Sequence, residues 1–453
     1  MCGIAGIVSL NNRSSTNIGQ TQKMAQRLTH RGPDDAGIYH DPHHRIALAF
    51  RRLSIIDLDT GRQPLADETQ TLHLICNGEI YNFQSLRTKL TRQGHHFKTQ
   101  GDIEPIVHLY QQYGLAFLNH LDGFFALALY DNQNEKLILA VDPVGKKPLY
   151  YGVQGDFLVF ASELKAITSV FPDNSINNVA LIDYLRFGYI PAPHTIDKNI
   201  YKLPPGCCLN LNLNEFRQKN LTALPPAYHY YQPCKQNFTN SVTSAASELS
   251  ILLNNAVAKR LVADVPVGVL LTGGLDSSII TALASRASSI PIRTFSVGFK
   301  DERYNELPLA RLVAKKYKTD HTEVVVEPDV TQILDLATTL YDEPFADSSA
   351  IPTYLICKEA AKHVKVILTG DGGDEAFCGY DRYRGFVMTT FLAKLKMRSL
   401  GSFFEQFLTW PGPQQRSRRA RLWRMIRALR FNPAMQYSHL MRIFYEGHLN
   451  SLL

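Results

Sequence analysis

Val267-Gly268-Val269-Leu270-Leu271-Thr272-Gly273-Gly274-Leu275-Asp276-Ser277-Ser278 is an apolar run that breaks into a pair of glycines and then into small polar residues. It reads as a buried strand, a tight turn and a helix starting at Ser277. Upstream, Leu249, Leu252, Leu253, Ala256, Val257 and Leu261 recur at helical spacing. Downstream, strand-like Ile292 to Phe299, helix-like Leu309 to Lys318 and the apolar strand Val364 to Leu368 follow. Continuous apolar strands alternating with helices predict a mainly parallel sheet covered on both faces. The turn itself suits an anion. Backbone N–H groups and the positive dipole end of the helix point at it, and glycines allow close approach. Asp276 is an acid in an anion site, which makes sense if it holds Mg²⁺ against phosphates. The Walker pattern is absent.

A second loop repeats the arrangement. Leu368-Thr369-Gly370-Asp371-Gly372-Gly373-Asp374-Glu375 follows a strand with glycines and three acids, which repel unless a metal or a cation offsets them. Between the two loops lie Tyr304-Asn305-Glu306, His321-Thr322-Glu323 and Asp342-Glu343-Pro344-Phe345-Ala346-Asp347.

The N-terminal part reads differently. Arg45 to Ile56, Thr71 to Asn77, Phe124 to Tyr130, Lys136 to Val141 and Phe157 to Ser162 are strand-like, and Phe83 to Gln93 and Glu104 to Tyr113 are helical. This is an α+β pattern. Leu203-Pro204-Pro205-Gly206 closes it, and the polar, aperiodic stretch 211–240 reads as a linker between domains at 2–210 and 241–453.

Cys2 stands next to the amino terminus. Loss of Met1 would leave its thiol beside a free α-amine whose pKa is about 7.7 to 8, able to take the thiol proton and return it to a leaving group. Small residues, Gly3-Ile4-Ala5-Gly6, begin a strand there, as where a substrate approaches the backbone. His30-Arg31-Gly32-Pro33-Asp34, Arg52-Leu53-Ser54-Ile55, Asn77-Gly78-Glu79-Ile80-Tyr81-Asn82 and Gly101-Asp102 then place polar groups beside turn residues.

The chain has 453 residues, 45% hydrophobic and 20% charged, which predicts a globular protein of two or three domains. No apolar run is long enough to span a bilayer and no signal peptide is evident, so a cytoplasmic protein is expected. Seven cysteines, without metal-ligand spacing, predict buried thiols rather than a disulfide framework. The net charge of +7 is concentrated at Arg416, Arg418, Arg419, Arg421, Arg424, Arg427 and Arg430. A solvated helix face accounts for this cluster better than a nucleic-acid or membrane patch, because Trp423 alone is no stacking platform.

The N-terminal motifs, in this order after Cys2, resemble the glutaminase domain of class II glutamine amidotransferases. That resemblance implies Cys2 as nucleophile and Arg52 on the glutamine α-carboxylate. Glu79 and Asp102 would hold the α-ammonium, and Asn77 and the N–H of Gly78 would form the oxyanion hole. The Thr272 loop resembles the pyrophosphate loop of the adenylating ATP pyrophosphatases, with threonine in place of the first serine. Together the two sets resemble the glutamine-hydrolysing asparagine synthetase family. The implied fold is an α+β N-terminal-nucleophile glutaminase domain of layered sheets with helices, followed by an α/β parallel-sheet ATP-pyrophosphatase domain, incomplete at its C-terminus.

The implied partners are glutamine, ATP and aspartate or another carboxylate acceptor, without nucleic acid and with a homodimer as one option for assembly. ATP would contact Leu271, Thr272, Gly273, Gly274, Asp276, Ser277, Ser278, Val297, Thr369 and Gly370. Asp276 and Asp374 would bind Mg²⁺ and pyrophosphate, and Asp371 would act on incoming ammonia. Three departures stand out: Val141 replaces an arginine before Asp142, Gly101 replaces a serine, and the family's C-terminal lysine segment is not found before Ser451-Leu452-Leu453. A protein that only hydrolyses glutamine or binds a partner is the rival expectation.

Overall fold

The computed structural model describes residues 1–172, 175–219, 223–233, 241–299, 305–326, 339–395 and 418–444. Tyr304, Arg416, parts of the expected linker (220–222 and 234–240) and 451–453 lie outside the described residues.

The first half is two antiparallel sheets. One contains β1 (Gly3–Ser9), β2 (Asp35–His40), β3 (Ile46–Arg52), β8 (Tyr150–Gln154), β9 (Phe157–Ala161) and β10 (Ile200–Lys202), in the order β10-β8-β9-β1-β3-β2. The other contains β4 (Leu65–Ala66), β5 (Leu72–Ile80), β6 (Gly123–Asp131), β7 (Lys136–Val141), β11 (Cys207–Asn212) and β12 (Tyr228–His229), in the order β12-β11-β7-β6-β5-β4. The sheets stack face to face. Ile4, Phe50 and Phe160 of one share a core with Ile75, Tyr130 and Leu139 of the other. Each such side chain contributes about 1.5–3 kcal/mol on burial. Helices close the outer faces. Ile18–Arg27 places Met24 on the first sheet, and Phe83–Arg92 and Pro105–Tyr113 cover the second. β1 lies centrally, and at Gly6 a Cβ would run into the ring of Phe160.

Leu211 to Gln218, expected in the linker, instead complete this core. β11 runs through Asn212, a helix follows at Leu213–Gln218, and Leu211, Leu213 and Phe216 are buried. The apolar residues there follow strand and then helix spacing over stretches too short to stand out from the polar run around them. Val141, which stands where the resemblance implies an arginine, is a buried member of the same core.

The second half is the expected parallel sheet. β13 (Val267–Leu270), β14 (Arg293–Phe299), β15 (Asp320–Val326) and β16 (Val366–Leu368) pair in parallel in the order β15-β14-β13-β16. Helices Val242–Arg260 and Leu275–Ala287 bring Val257, Leu283 and Ala284 onto Val269. Helix Ala350–Ala360 brings Ile356 onto Phe295 on the opposite face. Further helices, Asp381–Lys394, Arg418–Ala428 and Pro433–Met441, pack on one another. In this group Arg421 pairs with Asp381 at 3.1 Å and Arg427 lies over the Trp423 ring. Part of the basic cluster is thus engaged within the molecule. Among the described residues no helix is long and apolar enough to cross a membrane.

Among the described residues four ion pairs join the halves: Lys165–Asp342 at 3.2 Å, Lys202–Glu343 at 2.6 Å, Lys259–Asp122 at 2.7 Å and Lys365–Asp34 at 2.6 Å. Arg260 also stacks over the rings of Tyr81 and Phe124.

Candidate functional site

β1 delivers Cys2 to one end of the first sheet, opposite the point where β3 stops. The sequence suggested a strand as far as Ile56, but pairing ends at Arg52 and the chain turns away. The N–H of Leu53 donates to the Cys2 Sγ at 3.4 Å, and the thiol donates to the Leu53 carbonyl at 3.7 Å. A cleft opens beside them, lined among others by Cys2, Arg52, Ile55, Gly78, Glu79 and Asp102. The expected glutamine-binding residues Arg52, Gly78, Glu79 and Asp102 are therefore gathered at the thiol.

Burial raises the pKa of the Cys2 thiol, partly offset by the Leu53 N–H and the neighbouring amine. Burial lowers the chain's first amine to about 6. That amine is Met1's; loss of Met1 would put the α-amine of Cys2 itself beside the protonated thiol, the pairing a general-base step needs. Glu79 and Asp102 are both pushed above the ordinary carboxylate range, chiefly by burial, and Asp102 raises Glu79 further. Two such carboxyls facing one cleft are complementary to a ligand cation.

Asp102 is fixed through its Oδ2, which accepts from Ile80 N–H at 2.8 Å. Arg52 is buried and donates to the carbonyls of Ile56, Asp57 and Leu58. Those bonds occupy three of its five N–H donors. Asn77 is 1% exposed, and its Nδ2 has no hydrogen-bond partner among the described residues. Its neighbour Gly78 is pressed against β6, where a Cβ would lie 2.7 Å from the Phe124 carbonyl oxygen. At Gly101 a Cβ would meet Asp57 at an ordinary 3.6 Å, so the space for a serine is there and stays unfilled.

Reasoning from sequence passed over some supporting groups. Arg31 donates from Nε to the Cys2 carbonyl at 2.9 Å and pairs with Glu163 at 2.8 Å, so it fixes the backbone of the thiol residue. Its signal was present in His30-Arg31-Gly32-Pro33-Asp34, without an indication of its target. Glu104 accepts from Lys98 N–H at 2.8 Å and Thr99 N–H at 2.7 Å, which holds the loop that carries Asp102. Burial alone would raise its carboxyl, but hydrogen bonds from His108, Lys98 and Thr99 outweigh that and hold it at about 2.

The second site lies where β13 and β16 end. The helix begins at Leu275, two residues before the expected Ser277, so Asp276 sits in its first turn. The Thr272 hydroxyl lies 2.9 Å from Ser277 Oγ and accepts from Gly274 N–H at 3.3 Å. The Ser278 hydroxyl donates to the Gly274 carbonyl at 2.6 Å. Gly273 has φ +83°, a left-handed conformation that favours glycine, and a Cβ there would be 2.7 Å from Leu309. Leu271 is buried beneath the loop, and Val297 is half-buried on β14. The second acidic loop closes against the first. A Cβ on Gly370 would lie 2.8 Å from Ser277 N, and one on Gly373 would lie 2.5 Å from Asp276 Oδ2. Thr369 donates to Asp371 at 2.9 Å, and Asp371 is exposed at the rim.

Among the described residues no three His, Cys, Asp or Glu side chains form a metal cluster. Asp276 and Asp374 each stand in the first turn of a helix, Leu275–Ala287 and Gly373–Phe377, and Gly373 packs against the Asp276 carboxylate while the Asp374 carboxylate lies against Gly379; one or two carboxylates plus substrate phosphates are the usual donor set for Mg²⁺. Asp342 and Glu343 turn away from these loops to pair with Lys165 and Lys202 of the first half.

Residues 1–222 match the glutamine amidotransferase domain family, and residues 248–446 match the asparagine synthase family. Asparagine synthetase (glutamine-hydrolysing) 1 of Bacillus subtilis is 35% identical over 85% of this chain, and the chain spans 60% of its length. A protein assigned as asparagine synthetase (glutamine-hydrolysing) 2 in Methanocaldococcus jannaschii is 34% identical over 89% of this chain, with 80% of its own length covered. Asparagine synthetase (glutamine-hydrolysing) 3 of B. subtilis is 30% identical over 84% of this chain, with 63% of its own length covered. Both halves and their order agree, and the chain therefore belongs to the glutamine-hydrolysing asparagine synthetase family.

Proposed function

We propose that the first cleft hydrolyses glutamine and that the second site uses ATP to activate a carboxylate, aspartate by preference, for attack by the released ammonia. The observation that carries this reading is the buried, unpartnered Nδ2 of Asn77, a donor next in the chain to Gly78, which lines the same cleft as Cys2.

With Met1 removed, the α-amine of Cys2 takes the thiol proton as the sulfur attacks the glutamine side-chain carbonyl. Asn77 Nδ2 and Gly78 N–H receive the developing oxyanion, an interaction worth about 3–4 kcal/mol per donor. The amine returns the proton to the departing nitrogen, ammonia leaves, and water releases glutamate from the thioester. Arg52 supplies the guanidinium charge that binds the α-carboxylate. Glu79 and Asp102 bind the α-ammonium and orient the substrate.

At the second site, Thr272, Gly273, Gly274, Ser277 and Ser278 cradle the phosphates at the helix N-terminus, with Leu271 and Val297 beneath the adenine and Thr369 and Gly370 at its side. Asp276 and Asp374 would hold Mg²⁺, which when bound offsets phosphate charge. Asp371, at the rim, assists the incoming ammonia.

The test is Cys2→Ala in the full chain. Glutamine hydrolysis should vanish, while pyrophosphate release from ATP, aspartate and ammonium persists. Retained hydrolysis refutes the nucleophile. Failure of the intact chain to release pyrophosphate with any carboxylate acceptor refutes the synthetic half.

A further inference from the structure

The loop that turns away after Arg52 is not held by the first half alone. Asp264, in the segment between helix Val242–Arg260 and β13, contacts it twice. The Asp264 N–H donates to the Ile55 carbonyl at 2.9 Å, and Asp264 Oδ2 accepts from Asp57 N–H at 2.7 Å. Ile55 and Ile56 line the cleft. Asp57 ties the cleft's loops together. Its Oδ1 accepts from Thr60 N–H at 2.9 Å, its Oδ2 accepts from Gln100 N–H at 2.8 Å, and its carbonyl takes a bond from Arg52. It has φ +54°, a left-handed conformation that costs a non-glycine residue about 1–2 kcal/mol and persists only when its surroundings enforce it.

A second hold lies nearby. Lys365, one residue before β16, pairs with Asp34 at 2.6 Å, and Asp34 accepts from Ser54 N–H at 2.8 Å. Both holds come from the starts of β13 and β16, neighbouring parallel strands whose far ends carry the Thr272 and Thr369 loops.

We propose that Asp264 is a positioning residue for the glutamine cleft: by accepting the Asp57 N–H it sets the 55–58 wall, and through it Arg52, so that glutamine affinity in the first half depends on the second. The inference rests on the cleft being the glutamine site. Asp264 touches no reacting atom, so its effect falls on KM rather than on kcat.

The experiment uses the full chain and measures glutamine hydrolysis. Asp264→Ala leaves Asp57 N–H unpaired and raises KM for glutamine about tenfold, with kcat within about twofold. Asp264→Asn keeps an acceptor oxygen and restores KM to near the wild-type value. If the alanine variant does not fold, Asp264→Ser, too short to make the 2.7 Å contact, replaces it. An unchanged KM in the alanine or serine variant overturns the proposal. So does an asparagine variant as impaired as alanine, or a loss confined to kcat. If the wild-type chain shows no Cys2-dependent hydrolysis, the underlying reading of the cleft fails, and this inference with it.

Discussion

Asn77→Ala separates catalysis from stability at one side chain. Its Nδ2 is buried without a partner, so the resting protein carries an unsatisfied donor. Such a group costs about 1–3 kcal/mol in the ground state. Removing it relieves that cost, while the few side-chain atoms lost leave a small void worth about 1–2 kcal/mol. The two offset each other, and the melting temperature should move by no more than about 4 °C, since about 1 kcal/mol corresponds to 2–4 °C in domains of this size. The catalytic side does not cancel. An oxyanion donor is used only as charge develops, so its loss appears in kcat, by about 10²–10³, or 2.7–4 kcal/mol. KM for glutamine should change little. Glutamate release at saturating glutamine, together with thermal unfolding of the same preparation, measures both. A kcat reduced less than about fivefold, or a loss that tracks a large fall in melting temperature, would refute the assignment.

With Met1 removed, the α-amine of Cys2 must be neutral to accept the thiol proton, so glutaminase activity should fall as pH drops below the ordinary α-amine range of about 7.7 to 8; a flat profile there refutes the amine as base. Asp276→Asn should weaken Mg-ATP binding at least tenfold by calorimetry and spare glutaminase activity, and unchanged binding would make the loop a structural turn. Gly370→Ala places a Cβ 2.8 Å from Ser277 N and 2.9 Å from Asp276 Cβ, atoms with no flexible end to yield. The strain of about 1–3 kcal/mol should separate the two loops and weaken ATP binding about tenfold, again without touching glutamine hydrolysis.

The parts of the fold legible in the sequence were those with strong periodicity or punctuation. Val267 to Leu271 carries no polar side chain and is set off by Pro266 on one side and Thr272-Gly273-Gly274 on the other, and β13 sits there with only its last residue outside. β15 went unread because its first half, Asp320-His321-Thr322-Glu323, is polar and of its residues only Val326 is buried, so nothing in its pattern distinguishes it from a loop. The strand expected to reach Ile56 shows the opposite error. Leu53, Ile55 and Ile56 look like strand residues because they are apolar, but they serve as cleft wall. Cys2, Arg52, Glu79 and Asp102 converge from positions far apart in the chain, and only the order of their motifs hinted at it. Asp264 carried no signal of its own. An aspartate before Val265-Pro266 reads as a turn, and its significance depends on a partner about two hundred residues away.

The four lysine–carboxylate pairs between the halves have a directional consequence. At Lys165 and Lys202 the first half is positive and the second negative, while at Asp34 and Asp122 the polarity is reversed. The joint is therefore keyed. An orientation that brought the lysines of one half onto those of the other would set like charges together, and like-charge juxtaposition is a strong veto on wrong docking. Added salt should accordingly blunt the discrimination between orientations sooner than it separates the domains, because apolar and backbone contacts persist when charges are screened.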